Sequence, residues 1–223
     1  QWEELPDGIR FSLYSPDGEG GFPGNIRVIT DYRFNEDNEL SVRHYAETDC
    51  ATYINMTNHA YFNLCGKGKK ITEHRLHIPA DRILDTTPAF IPTGKRMNVK
   101  NTPFDFTSLK PIGTDLYADH EQLLWNKGYN HCYILKDEIS VEMLEAASLY
   151  EPVTGRKMTV MTDLPAVLLY TAGYYERPDT AVCLETQFYP DTPSHSDFPS
   201  CLVLPEKAYE HCTLFHFQVQ KEE

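Results

Sequence analysis

The sequence predicts an all-β fold, an antiparallel β-sandwich, on three observations. Short runs rich in Val, Ile, Tyr, Phe and Thr recur along the whole chain. Polar, Pro- and Gly-rich turns separate them. Only one brief stretch, Asp119 to Asn126, has the pattern of a helix, with Asp119 as its expected cap. Spacing of this kind, with almost no helix, is the pattern of a sandwich rather than of alternating β-α units. No linker, repeat or low-complexity segment interrupts residues 1–223, so a single domain is expected.

In chain order, Ile9–Tyr14 alternates as a strand, and a loop with four glycines follows between Ser15 and Gly24. Two alternating runs, Ile26–Tyr32 and Leu40–Tyr45, flank the polar turn Asn35–Glu39 and predict a hairpin. Thr52–Leu64 is β-prone and poor in charge. Read as a strand, it puts His59, Tyr61 and Asn63 on one face and Ala60, Phe62 and Leu64 on the other. Leu76–Asp81 is strand-like, whereas 90–94 and 101–106 read as irregular segments with packed aromatics. Strands return at Cys132–Leu135, 140–150, Lys157–Met161, Ala166–Thr171, Val182–Phe188, Cys201–Leu204 and Cys212–Val219.

Composition narrows the function. The formal charge is −13, from 33 acidic and 20 basic side chains. That balance disfavours nucleic acid and anionic membranes as partners, because phosphate recognition needs a basic surface. No apolar run is long enough to span a bilayer, and no secretory signal is visible. The six cysteines contain no Cys-x-x-Cys pair and mostly lie in apolar runs, so reduced thiols and a cytoplasmic location are expected. Asn55-Met56-Thr57 matches a glycosylation sequon inside a strand-like run and is read as coincidence. Among nine histidines, His74 and His77 have i, i+3 spacing but no helix to carry it, no His-x-His or His-Glu-x-x-His occurs, and there is no serine-nucleophile elbow or phosphate-binding glycine loop.

Two residues stand out. Glu185 is a carboxylate within the apolar run Val182–Phe188, opposite in parity to Leu184, Thr186 and Phe188. If the Leu184 face packs on a core, Glu185 points into a cleft, where partial burial raises its proton affinity toward that of a general base. His59 lies in an equally uncharged run beside Asn58 and Tyr61. Taken singly, each is an ordinary half-buried residue. Together, a histidine acid and a carboxylate base can move protons at two atoms of a small substrate.

The blocks carrying these residues resemble the galactose mutarotase (aldose 1-epimerase) family. Thr57-Asn58-His59-Ala60-Tyr61-Phe62-Asn63-Leu64 is similar to its Thr-Asn-His-x-Tyr-Phe-Asn-Leu signature. The segments 15–24, 90–94 and Leu184-Glu185-Thr186-Gln187 with Pro190-Asp191 match further blocks in family order. The resemblance implies a large twisted antiparallel β-sandwich that interconverts α and β anomers of free aldohexoses such as galactose or glucose, with no metal or organic cofactor. It implies that His59 protonates the ring oxygen and that Glu185 takes the C1 hydroxyl proton. Asn58, Tyr61, Asn130 and Leu168 fall at or beside the positions implied to hold sugar.

Three departures weigh against full activity. The resemblance implies a further N-terminal segment with a sugar-holding arginine and a second histidine, and none precedes Gln1. A truncated sandwich with exposed apolar surface is therefore expected. Asn130 stands where the family has aspartate, exchanging a charged for a neutral hydrogen bond at a cost of about tenfold in affinity. Leu168 aligns with a sugar-contacting glutamine and can neither donate nor accept. The alternative expectation is a catalytically impaired carbohydrate-binding or regulatory domain. Epimerisation of hexose 6-phosphates would want an arginine cluster, which these blocks lack.

Overall fold

The structure is a computed structural model that describes residues 1–66, 68–139 and 141–220. Its strands in chain order are β1 (Trp2–Leu5), β2 (Gly8–Ser15), β3 (Ile26–Phe34), β4 (Glu39–Thr48), β5 (Thr52–Tyr53), β6 (Arg75–His77), β7 (Arg82–Thr86), β8 (Pro92–Asn98) and β9 (Lys110–Pro111). After the helix α1 (Glu121–Asn126) come β10 (Asn130–Ile134), β11 (Leu144–Glu151), β12 (Arg156–Thr162), β13 (Ala166–Tyr170), β14 (Cys183–Gln187), β15 (Leu202–Val203) and β16 (Tyr209–Val219). They form a nine-stranded sheet, β1-β2-β3-β4-β16-β12-β11-β6-β9, a five-stranded sheet, β14-β13-β10-β7-β8, and the small pair β15-β5. Every pairing of these strands is antiparallel.

The main core lies between the two large sheets. Val42, Leu76, Leu149, Met158, Val160 and Phe215 of the larger sheet share one cluster with Ile83, Tyr133, Val167, Leu169 and Leu184 of the smaller. Alternation then fixes the other face of the small sheet. Residues one position away, Cys132, Leu168, Cys183 and Glu185, point away from that core. The hairpin β3–β4 forms where the polar turn predicts it. The Asn35 side chain accepts from the backbone N–H of Asp37 and Glu39, each at 3.0 Å, and Asn38 takes a left-handed φ of 59°.

Several sequence expectations need correction. The run Thr52–Leu64 is strand only at Thr52–Tyr53, followed by irregular chain with one isolated bridge, Phe62 to Val182. Asparagine side chains bond the local backbone instead: Asn58 Oδ1 accepts from Ala60 N at 3.0 Å, and Asn63 Oδ1 from Cys65 N at 3.0 Å. Such local bonds compete with a ladder. The helix starts one residue later than a cap at Asp119 predicts, at Glu121, and His120 caps it, its Nδ1 accepting from Gln122 N at 3.3 Å. The segment 90–94, expected to be irregular, leads into β8, where Pro92 is tolerated as the first residue of an edge strand. Strands β1, β7 and β9 fall outside every run that the sequence pattern marks as a strand. The strand expected over 140–150 is β11 from Leu144, and Ser140 lies outside the described residues.

Toward the β1 edge the larger sheet runs out of partners on one face. Trp2 pairs in register with Phe11, and Leu13 follows on the same side. Trp2 is 64% exposed and Leu13 62%. The other face of the same strands is charged, with Arg10 bound to Asp31 at 2.6 Å.

Candidate active site

The site is built on β14, the edge strand of the small sheet. Antiparallel register sets Glu185 beside Leu168 of β13 and Leu168 beside Cys132 of β10. One step along, Cys183 pairs with Tyr170, and Tyr170 with Asn130. These two rows share the face that looks away from the main core. Asn130, Leu168 and Glu185, far apart in sequence, are thus neighbours on one floor. Gly128 helps deliver Asn130: at φ 123°, a Cβ there would stand 2.6 Å from Thr171 Oγ1, so the turn from α1 into β10 excludes a larger residue.

The open edge of β14 is spanned by the irregular segment that bears His59. At one end Asn55 pairs with Phe188 as a backbone would, accepting from its N–H at 2.9 Å and donating to its carbonyl at 3.1 Å. At the other end Phe62 and Val182 exchange backbone hydrogen bonds of 2.9 Å. Phe188 and Val182 flank the two ends of β14, so the segment is a strap fixed at both ends. Its middle bows outward over Glu185. Inside the bow, Met56 N donates to the Tyr209 hydroxyl at 3.2 Å, and Asn58 Nδ2 donates to the Tyr32 hydroxyl at 2.8 Å. Asn58 therefore spends both polar side-chain atoms on shaping the strap next to His59. The sequon asparagine, Asn55, likewise has its amide committed to Phe188.

This geometry brings the two sequence candidates together. His59 Nε2 lies 3.4 Å from Glu185 Oε1. The His59 side chain is half exposed, whereas the Glu185 residue retains only 6% exposure. Burial pushes the Glu185 carboxyl above the ordinary carboxylate range, and the neighbouring His59 charge opposes that shift only in part. Tyr61 stacks on His59 at 5.0 Å between ring centroids, and Tyr170 meets His59 edge-on at 6.1 Å. Tyr175 packs on Tyr61 at 5.0 Å. A buried base, an adjacent solvent-facing imidazole and an aromatic wall can exchange protons with a small polar molecule that stacks a flat face.

Sequence reasoning missed three residues of this site. Tyr170 was legible in principle, two positions after Leu168 on one strand face. Tyr175 comes from a loop with no periodic signal. Cys183 was seen only as a buried thiol; burial and the Glu185 charge raise its pKa to about 12. No sequence motif joins these residues as metal ligands, yet the fold brings donor atoms of His59, Cys183 and Glu185 within 4.8 Å of one another. A separate cavity of about 510 Å³, lined by residues including Leu116, Tyr117, Leu123, Lys127 and Asp179, includes neither His59 nor Glu185.

Comparison with known proteins gives a consistent picture. A family model described as aldose 1-epimerase matches residues 1–216. Galactose mutarotase of Bos taurus is 35% identical over 96% of this chain and 64% of its own length. Aldose 1-epimerase of Escherichia coli K12 is 32% identical over 94% of this chain and 63% of its own. The chain thus spans just under two thirds of these relatives. Among solved structures, a GalM/aldose epimerase homologue from C. elegans superposes with a TM-score of 0.85 at 25% identity, over 98% of this chain and 68% of that one. Galactose 1-epimerase from Lactobacillus acidophilus gives 0.84 at 26%, over 98% and 65%.

Proposed function

We propose a function from one premise: the chain belongs to the aldose 1-epimerase family. On that basis it is a mutarotase that interconverts the α and β anomers of free aldohexoses such as galactose or glucose, acting as one domain over residues 1–223. The observation that carries the proposal is the 3.4 Å approach of His59 Nε2 to Glu185 Oε1. The ring oxygen and the C1 hydroxyl oxygen of a hexose are bonded to the same carbon. An acid and a base that stand side by side can therefore serve both from one direction.

In this reading Glu185 removes the C1 hydroxyl proton while His59 protonates the ring oxygen. The C1–O5 bond breaks and leaves an open-chain aldehyde. Rotation about C1–C2 presents the other carbonyl face. His59 then takes the proton back from the O5 hydroxyl as O5 attacks C1, and Glu185 returns its proton to the carbonyl oxygen. Atoms and charges balance without a cofactor. Burial suits Glu185 to its part, since it strengthens the base. Tyr61, Tyr170 and Tyr175 offer flat faces to the sugar, and Asn130 offers an amide. The proposed setting is the cytoplasm, supported by six free cysteines. No helix among the described residues is long and apolar enough to cross a membrane.

The test is polarimetric. Freshly dissolved α-D-galactose or α-D-glucose should relax faster with the protein than in buffer. Relaxation at the buffer rate for every aldose tried would refute the proposal. A second reading, a sugar-binding domain with little catalysis, is favoured by Leu168, which sits across from Glu185 in register and gives the floor no polar grip there. Calorimetric sugar binding without rate acceleration would favour it.

A further inference from the structure

The acid/base reading uses two of the three donor atoms that meet at the site and gives the third nothing to do. His59, Cys183 and Glu185 present a nitrogen, a sulfur and an oxygen within 4.8 Å of one another. Cys183 and Glu185 are two residues apart on β14, so their side chains leave the same face. His59 comes from the strap above them. Calcium and magnesium would refuse this set, because hard cations take oxygen ligands. A borderline-soft divalent cation takes imidazole, thiolate and carboxylate together, in a tetrahedral shell. Three protein ligands leave one corner free, and the half-exposed His59 ring marks the side from which an ion would enter.

We propose that His59, Cys183 and Glu185 form a binding site for a zinc-like divalent cation, and that the bound ion excludes sugar. Binding converts the Cys183 S–H bond into an S–metal bond and releases the proton to solvent; the ion stays divalent, so no electron moves. His59 closes on the ion from the bowed middle of the strap, which is held to β14 only at its ends. The ion engages both proton-transfer groups at once, so it acts as an inhibitor. The binding half of this inference stands apart from the mutarotase reading; only the competition half rests on it.

Cobalt(II) added to the metal-free protein separates the two halves. A thiolate–cobalt charge-transfer band in the near ultraviolet, with strong visible bands of tetrahedral cobalt, is expected to saturate near one equivalent. Zinc should displace both. Cys183→Ser should abolish the charge-transfer band, and His59→Ala should weaken cobalt binding at least about tenfold. Cys65→Ser, at a thiol that is only half-buried, should leave the spectrum unchanged. No charge-transfer band, or one that survives Cys183→Ser, overturns the site. If Cys183→Ser does not fold, His59→Ala carries the test, since that ring is half exposed, and undiminished cobalt affinity in it overturns the site equally. In polarimetry, zinc should raise KM with kcat unchanged, and a chelator should restore the rate. Bound zinc with no effect on a measurable rate overturns the competition, while absence of any rate bears on the mutarotase reading and leaves the cobalt result standing.

Discussion

Replacing Glu185 by Gln should remove activity and strengthen the fold, and the two effects have one cause. Glu185 retains 6% exposure, and among the described residues its ion-pair contact is His59, at 3.4 Å. Burial raises its pKa, so the folded protein binds this proton more tightly than the unfolded chain does. The sign follows by linkage. The contribution to stability is fully present below the unfolded carboxylate pKa, about 4.3, and is lost as pH rises through the higher folded value. At neutral pH the ionised carboxylate is therefore a burden on the fold. Glutamine keeps the shape without the charge, and a gain of roughly 0.5–2 kcal/mol is expected, typical where a functional group opposes stability. For a chain of this size each kcal/mol raises Tm by about 2–4 °C. The same substitution deletes the proposed general base, an expected loss of about 10²–10⁴ in rate, or roughly 3–5 kcal/mol of transition-state stabilisation. Thermal melts at pH 7.5 and 4.5 and polarimetry on one preparation check both. The stability gain should shrink at the lower pH. Activity within about tenfold of the parent, or a lower Tm at pH 7.5, would refute the reasoning.

Other perturbations follow from neighbouring features. Burial lowers the pKa of His44 to about 4 and holds that of His131 far below the ordinary range. Stability held above the unfolded value of about 6.5 is then lost on acidification, by about 2 kcal/mol per histidine between neutral pH and pH 5. Urea melts across that range should show the slope, and His44→Asn should reduce it. Asn130→Asp should lower KM for sugar about tenfold if this side chain holds a hydroxyl; an unchanged KM would remove it from the site. Asn58→Ala breaks two hydrogen bonds beside His59, and should cost roughly 1–3 kcal/mol and lower kcat, read by denaturation and polarimetry. Leu13→Lys, on the exposed face that also carries Trp2, should reduce self-association in analytical ultracentrifugation without changing Tm by more than about 2 °C.

Much of the placement of the candidate site is legible in the sequence because it rests on parity. Glu185 opposes Leu184 on any strand, and Leu184 proved to be core. The β3–β4 hairpin was equally readable, since its turn residues bond their own backbone. What escaped was pairing at a distance. Nothing near His59 in sequence reveals that Asn55 substitutes for a backbone pair with Phe188, so the segment looked like a strand. Its side chains still alternate between open and covered sides, His59 and Tyr61 exposed and Leu64 buried, which is why the faces were right and the backbone was wrong. Cys183 escaped for a related reason. Its neighbourhood with His59 exists only after the strap has closed over β14.

The strap also answers a problem of solubility. An edge strand offers unpaired N–H and C=O groups to any passing chain, and edge-to-edge growth is how sheet proteins aggregate. Here β14 is almost wholly buried and sits at an edge, and the segment carrying the proposed acid lies along that edge. A substitution that releases the strap, such as Asn55→Ala, would do more than displace a histidine: it would uncap a template for intermolecular pairing. Selection against aggregation and selection for proton transfer would then act on the same few residues, and variants that lose one property should tend to lose the other.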